Sequence, residues 1–171
     1  MKSRHGHTLV ELLFCLLIAG ILLSFAIPSF VSTVERSRQT EAVNQLLGAL
    51  HYARSTAVME RKVVGICSGE STCSDDARWV DQLLVFIDDN RNGHLDTNEK
   101  LLRGFPLPAD QSWTWKNFRR KRYLQFKPDG TTLALNGTFT LCREGEAIRQ
   151  LVINLTGRVR TRAPSANAQC D

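Results

Sequence analysis

Gly6-His7-Thr8-Leu9-Val10-Glu11-Leu12-Leu13-Phe14-Cys15-Leu16-Leu17-Ile18-Ala19-Gly20-Ile21-Leu22-Leu23-Ser24-Phe25-Ala26-Ile27-Pro28 is the stretch that decides the architecture. From Leu9 to Ile27 it is a nearly unbroken apolar run of 19 residues, interrupted by Glu11. At about 1.5 Å per residue, a helix of that length just crosses a bilayer. Lys2 and Arg4 precede it, which keeps the short leader cytoplasmic and sends the rest of the chain outward. A disposable secretory signal is the first alternative, and Ser24-Phe25-Ala26 resembles its small-x-small cleavage site. Two features oppose it. A carboxylate inside the apolar region costs on the order of a few kcal/mol, which a removable segment has no reason to carry. The helical pattern also continues well past that point.

The segment Gly6 to Leu13 resembles the class III leader of type IV pilins and type II secretion pseudopilins. The resemblance implies cleavage after Gly6 by a prepilin peptidase, methylation of the new amine on His7, and an assembly glutamate, Glu11, at the fifth mature position. His7 stands where the family usually has phenylalanine. A carboxylate in an apolar setting wants a cation, and the amino terminus of a neighbouring subunit would supply one. Pro28 also matches the family, in which it kinks the long helix.

Past Ser29, apolar residues recur at Val43, Leu46, Leu47, Leu50, Ala53 and Ala57, steps of three and four that lay one stripe on a helix. A helix from about Thr8 to Glu60 would be on the order of 80 Å long. After Glu60 the texture changes to short β-type runs separated by Gly, Pro, Asn and Asp. Candidate strands are Lys62 to Cys67, Trp79 to Ile87, Lys100 to Phe105, Ser112 to Lys116, Arg122 to Phe126, Thr138 to Arg143, Arg149 to Asn154 and Gly157 to Arg160. Asn136-Gly137 reads as a tight hairpin turn. The fold class is therefore α+β, a long helix packed on an antiparallel sheet. The divisions are 1–6 leader, 7–28 transmembrane and assembly half of the helix, 29–60 amphipathic half, and 61–171 β-rich head. The tail from Ala163 to Ala168 is expected to be loose except where Cys170 ties it down.

The head resembles the GspH/FimT group of minor pilins and pseudopilins. The carriers are Leu50-His51-Tyr52-Ala53-Arg54-Ser55-Thr56-Ala57-Val58, Val63-Val64-Gly65-Ile66-Cys67 and Gly137-Thr138-Phe139-Thr140-Leu141-Cys142. The resemblance implies the type IV pilin fold, a single-pass inner-membrane protein with a periplasmic head, and assembly with other pilins through the helix.

Four cysteines fall in that head, and three connectivities are open to them. The economical one pairs Cys67 with Cys73 and Cys142 with Cys170. Zinc is the rival, but neither pair has close-set ligand spacing and no histidine lies beside them. Export favours oxidation. Cys15 lies in the apolar run as a small hydrophobe.

Charge is unevenly placed. Residues 1–112 carry 11 Lys+Arg against 13 Asp+Glu, net −2, and residues 113–171 carry 11 against 4, net +7, giving the overall +5. A basic back half is an electrostatic footprint for a polyanion, or a solvated face that keeps the head soluble. Gly157-Arg158-Val159-Arg160, extended by Arg162, resembles a glycine-arginine-x-arginine motif with which FimT-type minor pilins bind DNA in natural transformation. On a strand these arginines share one face about 6–7 Å apart, close to phosphate spacing. Arg119, Arg120, Lys121 and Arg122 add charge, with Trp113, Trp115 and Phe118 before them as candidate stacking groups.

Asp88-Asp89-Asn90-Arg91-Asn92-Gly93-His94-Leu95-Asp96-Thr97-Asn98-Glu99 fits the calcium-loop pattern, with Asp88, Asn90, Asn92 and Glu99 as oxygen donors. A β-type run enters it instead of a helix, and an Asn/Asp-rich hairpin needs no metal. No other cofactor is expected. The four histidines, His5, His7, His51 and His94, fall in no catalytic pattern, and neither a nucleophile elbow nor a phosphate-cradling glycine loop is present. The sequence points to a FimT-like minor pilin that binds DNA and is not an enzyme. The rival is a structural GspH-type pseudopilin or pilus-priming minor pilin without a nucleic-acid ligand.

Overall fold

The structure of the protein, a computed structural model, describes residues 9–170. The chain divides into two compact units, Met1–Thr40 and Glu41–Asp171. One helix, α1 (Leu9–Glu60), runs through both. In the first unit its large apolar side chains from Leu9 to Val31 are exposed, and this helix is long and apolar enough to cross a membrane. Pro28 lies inside it and offers no N–H, so the helix loses one backbone bond there. Hydroxyls cluster nearby on backbone carbonyls, Ser24 on Ile21 at 2.7 Å and Ser32 and Thr33 on Ser29 at 2.9 Å.

In the second unit α1 buries Ala42, Leu46, Ala49, Leu50, Ala53 and Ala57. Four of these six are alanines, which bring the helix backbone close to the sheets. Val43 and Leu47 pack on the rim of the same core. The helix stops at Glu60, where Arg61 takes a left-handed conformation (φ 55°) suited to a C-terminal cap.

The strands are β1 (Val64–Ser68), β2 (Arg78–Trp79), β3 (Gln82–Ile87), β4 (Leu101–Pro106), β5 (Ser112–Asn117), β6 (Leu124–Phe126), β7 (Gly137–Arg143), β8 (Glu146–Ile153) and β9 (Val159–Arg162). They form two antiparallel sheets, ordered β4-β3-β1-β6 and β2-β5-β7-β8-β9. The main core joins the helix stripe to Val64, Ile66, Leu83, Val85 and Ile87 of the first sheet and to Trp113, Trp115, Phe139, Leu141, Leu151 and Ile153 of the second. Cys67, Leu84 and Phe86, on the other face of the first sheet, form a small second core with Cys73, Leu95 and Tyr123. The head is thus the α+β arrangement expected from the sequence.

Two expectations are corrected. Trp79 to Ile87 is not one strand: Trp79 pairs with Trp113 in one sheet and Gln82–Ile87 with β1 in the other. The switch falls at Asp81, whose φ of 62° breaks the extended run. Asn136-Gly137 is not a hairpin turn. Gly137 sits inside the sheet between Asn117 and Ile153, where a Cβ would collide with the Lys116 carbonyl. The two-residue turn is Glu144-Gly145, both at positive φ, joining β7 to β8. The tail is tied by Cys170, as expected, and meets the sheet at two further points. After β9 it crosses the outward face of the five-stranded sheet, with the Ser165 N–H on Gln150 Oε1 (3.2 Å), Lys116 Nζ on Gln169 Oε1 (2.8 Å), and Cys170 bonded to Cys142. Under it Thr114, Thr140 and Gln150 are buried.

Candidate nucleic-acid interface

The arginines of β9 are presented by a short hairpin from Ile153 to Val159. Asn154 organises it: its side-chain carbonyl accepts the Arg158 N–H (2.9 Å) and the Thr156 hydroxyl (2.8 Å), and its backbone carbonyl accepts the Gly157 N–H (3.0 Å). Gly157 has φ +74°, and a Cβ there would collide with the Gly130 carbonyl. Its role in the Gly-Arg-x-Arg stretch is to turn the chain tightly into β9. Arg54 of α1 braces the same place, donating from Nε to the Gly130 carbonyl (2.8 Å) and from Nη2 to the Thr156 carbonyl (3.1 Å). Sequence alone does not single out this bracing role. Its only signal there is a cation set beside the apolar stripe, between Ala53 and Ala57.

β9 is an edge strand. Arg160 lies opposite Val152 and Arg162 opposite Gln150, with Val159 turned to the core. Arg158, Arg160 and Arg162 are exposed. Arg162 Nε donates to Gln150 Oε1 at 3.0 Å. Among the described residues no acid pairs with the guanidinium of Arg158 or Arg160. Register places Arg160 and Lys116 at the two ends of one row: Arg160 opposite Val152, Val152 opposite Thr138, and Thr138 opposite Lys116 of β5. Three strand spacings make that row about 14 Å wide.

Beyond Lys116 the chain enters the basic loop. Asn117 folds it, donating to the Lys121 carbonyl (2.6 Å) and accepting the Lys121 N–H (3.0 Å). Arg119, Arg120, Lys121 and Arg122 are all exposed. A cavity of about 340 Å³ is lined by Ala77, Trp115, Lys116, Asn117, Arg120 and Arg122. The aromatic expectation needs correction: Trp113 and Trp115 are 1% and 2% exposed and pack on Phe139, so they cannot stack on a base. Inward alternation along β5 puts them in the core. Phe118, 87% exposed, is the aromatic group that this loop presents to solvent.

The Asp88–Glu99 segment is the loop of the β3–β4 hairpin, closed at its base by the Ile87 N–H on the Lys100 carbonyl (3.0 Å). Asp88 Oδ2 accepts the Gly93 N–H (3.0 Å) and the Gln125 amide. Asn90 and Asn92 both donate to Asp96 Oδ2, at 2.7 and 2.8 Å. Glu99 accepts the N–H groups of Asp89 (2.9 Å) and Asp96 (3.2 Å). Disulfides join Cys67 to Cys73 and Cys142 to Cys170. The first lies against this loop, with the Leu95 N–H 3.3 Å from Cys73 Sγ. Glu11 lies in the first turn of α1, whereas Gly6 and His7 lie outside the described residues.

Comparison with known proteins matches this geometry to a family. The profile described as Type II transport protein GspH matches residues 42–157, and the prokaryotic N-terminal methylation motif matches residues 1–27. The chain belongs to the GspH family. Two fimbrial proteins of Pseudomonas aeruginosa are similar to this GspH-family protein. One is 31% identical over 104 residues, covering 56% of this chain and 67% of that protein. The other is 38% identical over 64 residues, covering 37% and 41%. Two crystal structures of the type IV minor pilin FimU of Pseudomonas aeruginosa PAO1 share the fold. They are 25% and 26% identical, with TM-scores of 0.58 and 0.59. They match 77% and 80% of this chain, and 99% and 98% of the FimU chains. The protein is thus a type IV pilin-like minor pilin or GspH-like pseudopilin, a class of structural proteins, with a membrane-type helix. The GspH match ends at Gly157, immediately before Arg158.

Proposed function

We propose that this minor pilin binds DNA without sequence preference, through Arg158, Arg160 and Arg162, during DNA uptake by a type IV pilus. One observation carries the reading: an edge strand and the hairpin turn leading into it present three exposed arginines, with no acidic partner on Arg158 or Arg160 among the described residues. A guanidinium fork suits phosphate, and phosphate contacts carry no base information. The row to Lys116 and the Arg119–Arg122 loop extend the same positive face, and Phe118 offers one stacking surface.

The rest of the proposal concerns assembly. A prepilin peptidase cuts after Gly6 and methylates His7. The helix holds the protein in the inner membrane with the head in the periplasm, and Glu11 meets the amino terminus of a neighbouring pilin. The methylation-motif match and the likeness to FimU support this placement.

The test is a gel shift with the full-length chain in non-ionic detergent, using two duplexes of unrelated sequence. Equal retardation of both, weakened in Arg158→Gln/Arg160→Gln, is the expected result. Retardation unchanged in the variant moves the site to the Arg119–Arg122 loop. No retardation by the folded wild type at low salt refutes DNA binding and leaves a purely structural minor pilin.

A further inference from the structure

We propose that the β3–β4 loop, Asp88 to Glu99, is a calcium site. Oxygen donors fall at the spacing of a 12-residue calcium loop: Asp88, Asn90, Asn92, the His94 carbonyl, Asp96 and Glu99, with Gly93 at the sharp turn (φ +82°). Spacing of this kind also occurs in plain hairpin turns and decides nothing by itself. The deciding observation is Asp88. Its side chain is fully buried, and Oδ1 has no hydrogen-bond partner among the described residues. The other oxygen accepts the N–H of Gly93, the residue at the middle of the loop, and the Gln125 amide, so the carboxylate sits against the loop. A buried carboxylate oxygen without a donor is costly, and a cation removes that cost.

The frame is rigid where a calcium loop needs it. Usually two helices bring the first and twelfth residues together. Here an antiparallel strand pair does so, through the Ile87–Lys100 bond at the loop base. Leu95 anchors the loop in the small second core, the Cys67–Cys73 disulfide lies beside it, and Gly93 packs under the Tyr123 ring. Among the described residues no three His, Cys, Asp or Glu side chains converge as a metal-holding group. The donors are mixed carboxylate, amide and carbonyl oxygens, which select a hard cation over zinc. In the ion-free loop the Asn90 and Asn92 amides satisfy Asp96. Calcium exchanges those two bonds for ligation by the same three side chains.

The experiment titrates calcium chloride into the full-length chain in non-ionic detergent. Calorimetry, terbium luminescence excited through Tyr123, and the melting temperature are followed together. One site is expected, with a dissociation constant of about 0.1–1 mM, the range of extracellular calcium modules. Calcium raises the melting temperature by several degrees, and equal magnesium raises it far less. Glu99→Gln and Asp88→Asn each weaken binding at least tenfold, while Arg158→Gln/Arg160→Gln leaves it unchanged. If Asp88→Asn fails to fold, Glu99→Gln decides between the outcomes. No heat, no luminescence and no melting shift in the folded wild type at about 10 mM calcium, above the weakest such modules, overturns the proposal. So does binding that survives Glu99→Gln, or a magnesium response equal to that of calcium.

Discussion

Removing Arg158 and Arg160, at the start of β9, should change how DNA binding responds to salt more distinctively than how tight it is. Each phosphate neutralised on duplex DNA contributes about −0.9 to the slope of log affinity against log salt. If Arg158, Arg160 and Arg162 each meet one phosphate, they contribute about −2.7, a loss of about 40-fold between 50 and 200 mM salt. Arg158→Gln/Arg160→Gln leaves Arg162, a contribution of about −0.9 and a loss of about 3.5-fold over the same range. Contacts made by Arg119 to Arg122 would steepen both curves equally, so the difference of about 1.8 in slope is the predicted quantity. Fluorescence anisotropy of a labelled duplex at four or five salt concentrations measures it, with circular dichroism to show that the variant is folded. Both side chains are exposed and no acid pairs with them among the described residues, so folding should be undisturbed. Parallel lines for wild type and variant would refute the assignment. A variant that binds more weakly at every salt concentration with an unchanged slope would show that these arginines shape the surface without touching phosphate.

Gly157→Ala should lower stability by about 1–3 kcal/mol in urea unfolding, since alanine resists a left-handed conformation, and its methyl would meet the Gly130 carbonyl. Cys142→Ser/Cys170→Ser opens a link spanning 28 residues, which loop-closure entropy values at about 3–4 kcal/mol. The same double variant should raise hydrogen exchange at Gln150 and Thr140, now buried under the tail. Thr131, through its hydroxyl and N–H, and then Lys127 hold the Asp129 carboxyl down from 3.8 to about 2. A lowered pKa means that the folded turn binds fewer protons than the unfolded chain. Its contribution is therefore present above about pH 4 and lost as pH falls toward 2. An NMR titration of Thr131 should show the transition near pH 2, and a midpoint near 3.8 would refute it.

The helix is legible in the sequence because its signals are local: an apolar run up to Ile27 broken only by Glu11, then a stripe at helical period. Even there Ala42 and Ala49, both buried, do not stand out, because alanine has too little side chain to mark a hydropathy pattern. Strand existence is also legible, since β-branched and aromatic runs between turn residues announce themselves. What local pattern misses is everything set by partners distant in sequence. Trp113 and Trp115 look available to a nucleic acid until pairing with β7 fixes which face of β5 is inward. Asn136-Gly137 has the composition of a hairpin turn, yet Gly137 is there for close approach between strands. Arg54 is 76 residues from the carbonyl it braces, and no local pattern signals such a bond. Of the candidate sites, the residue types of β9 and of the Asp88–Glu99 loop are readable, whereas the buried oxygen of Asp88 belongs to tertiary structure alone.

The tail that returns from β9 to Cys142 has a mechanical meaning. An edge strand gripped by a polymer under tension is the part of a sheet most easily unzipped, one hydrogen bond at a time. Were DNA to pull on Arg160, the load would be shared by two covalent paths: back through the hairpin to β8, and onward through Cys170 into β7, the middle strand of its sheet. The strand therefore cannot be drawn out as a free end. Tension must shear several strands together, as a rope spliced back on itself resists fraying.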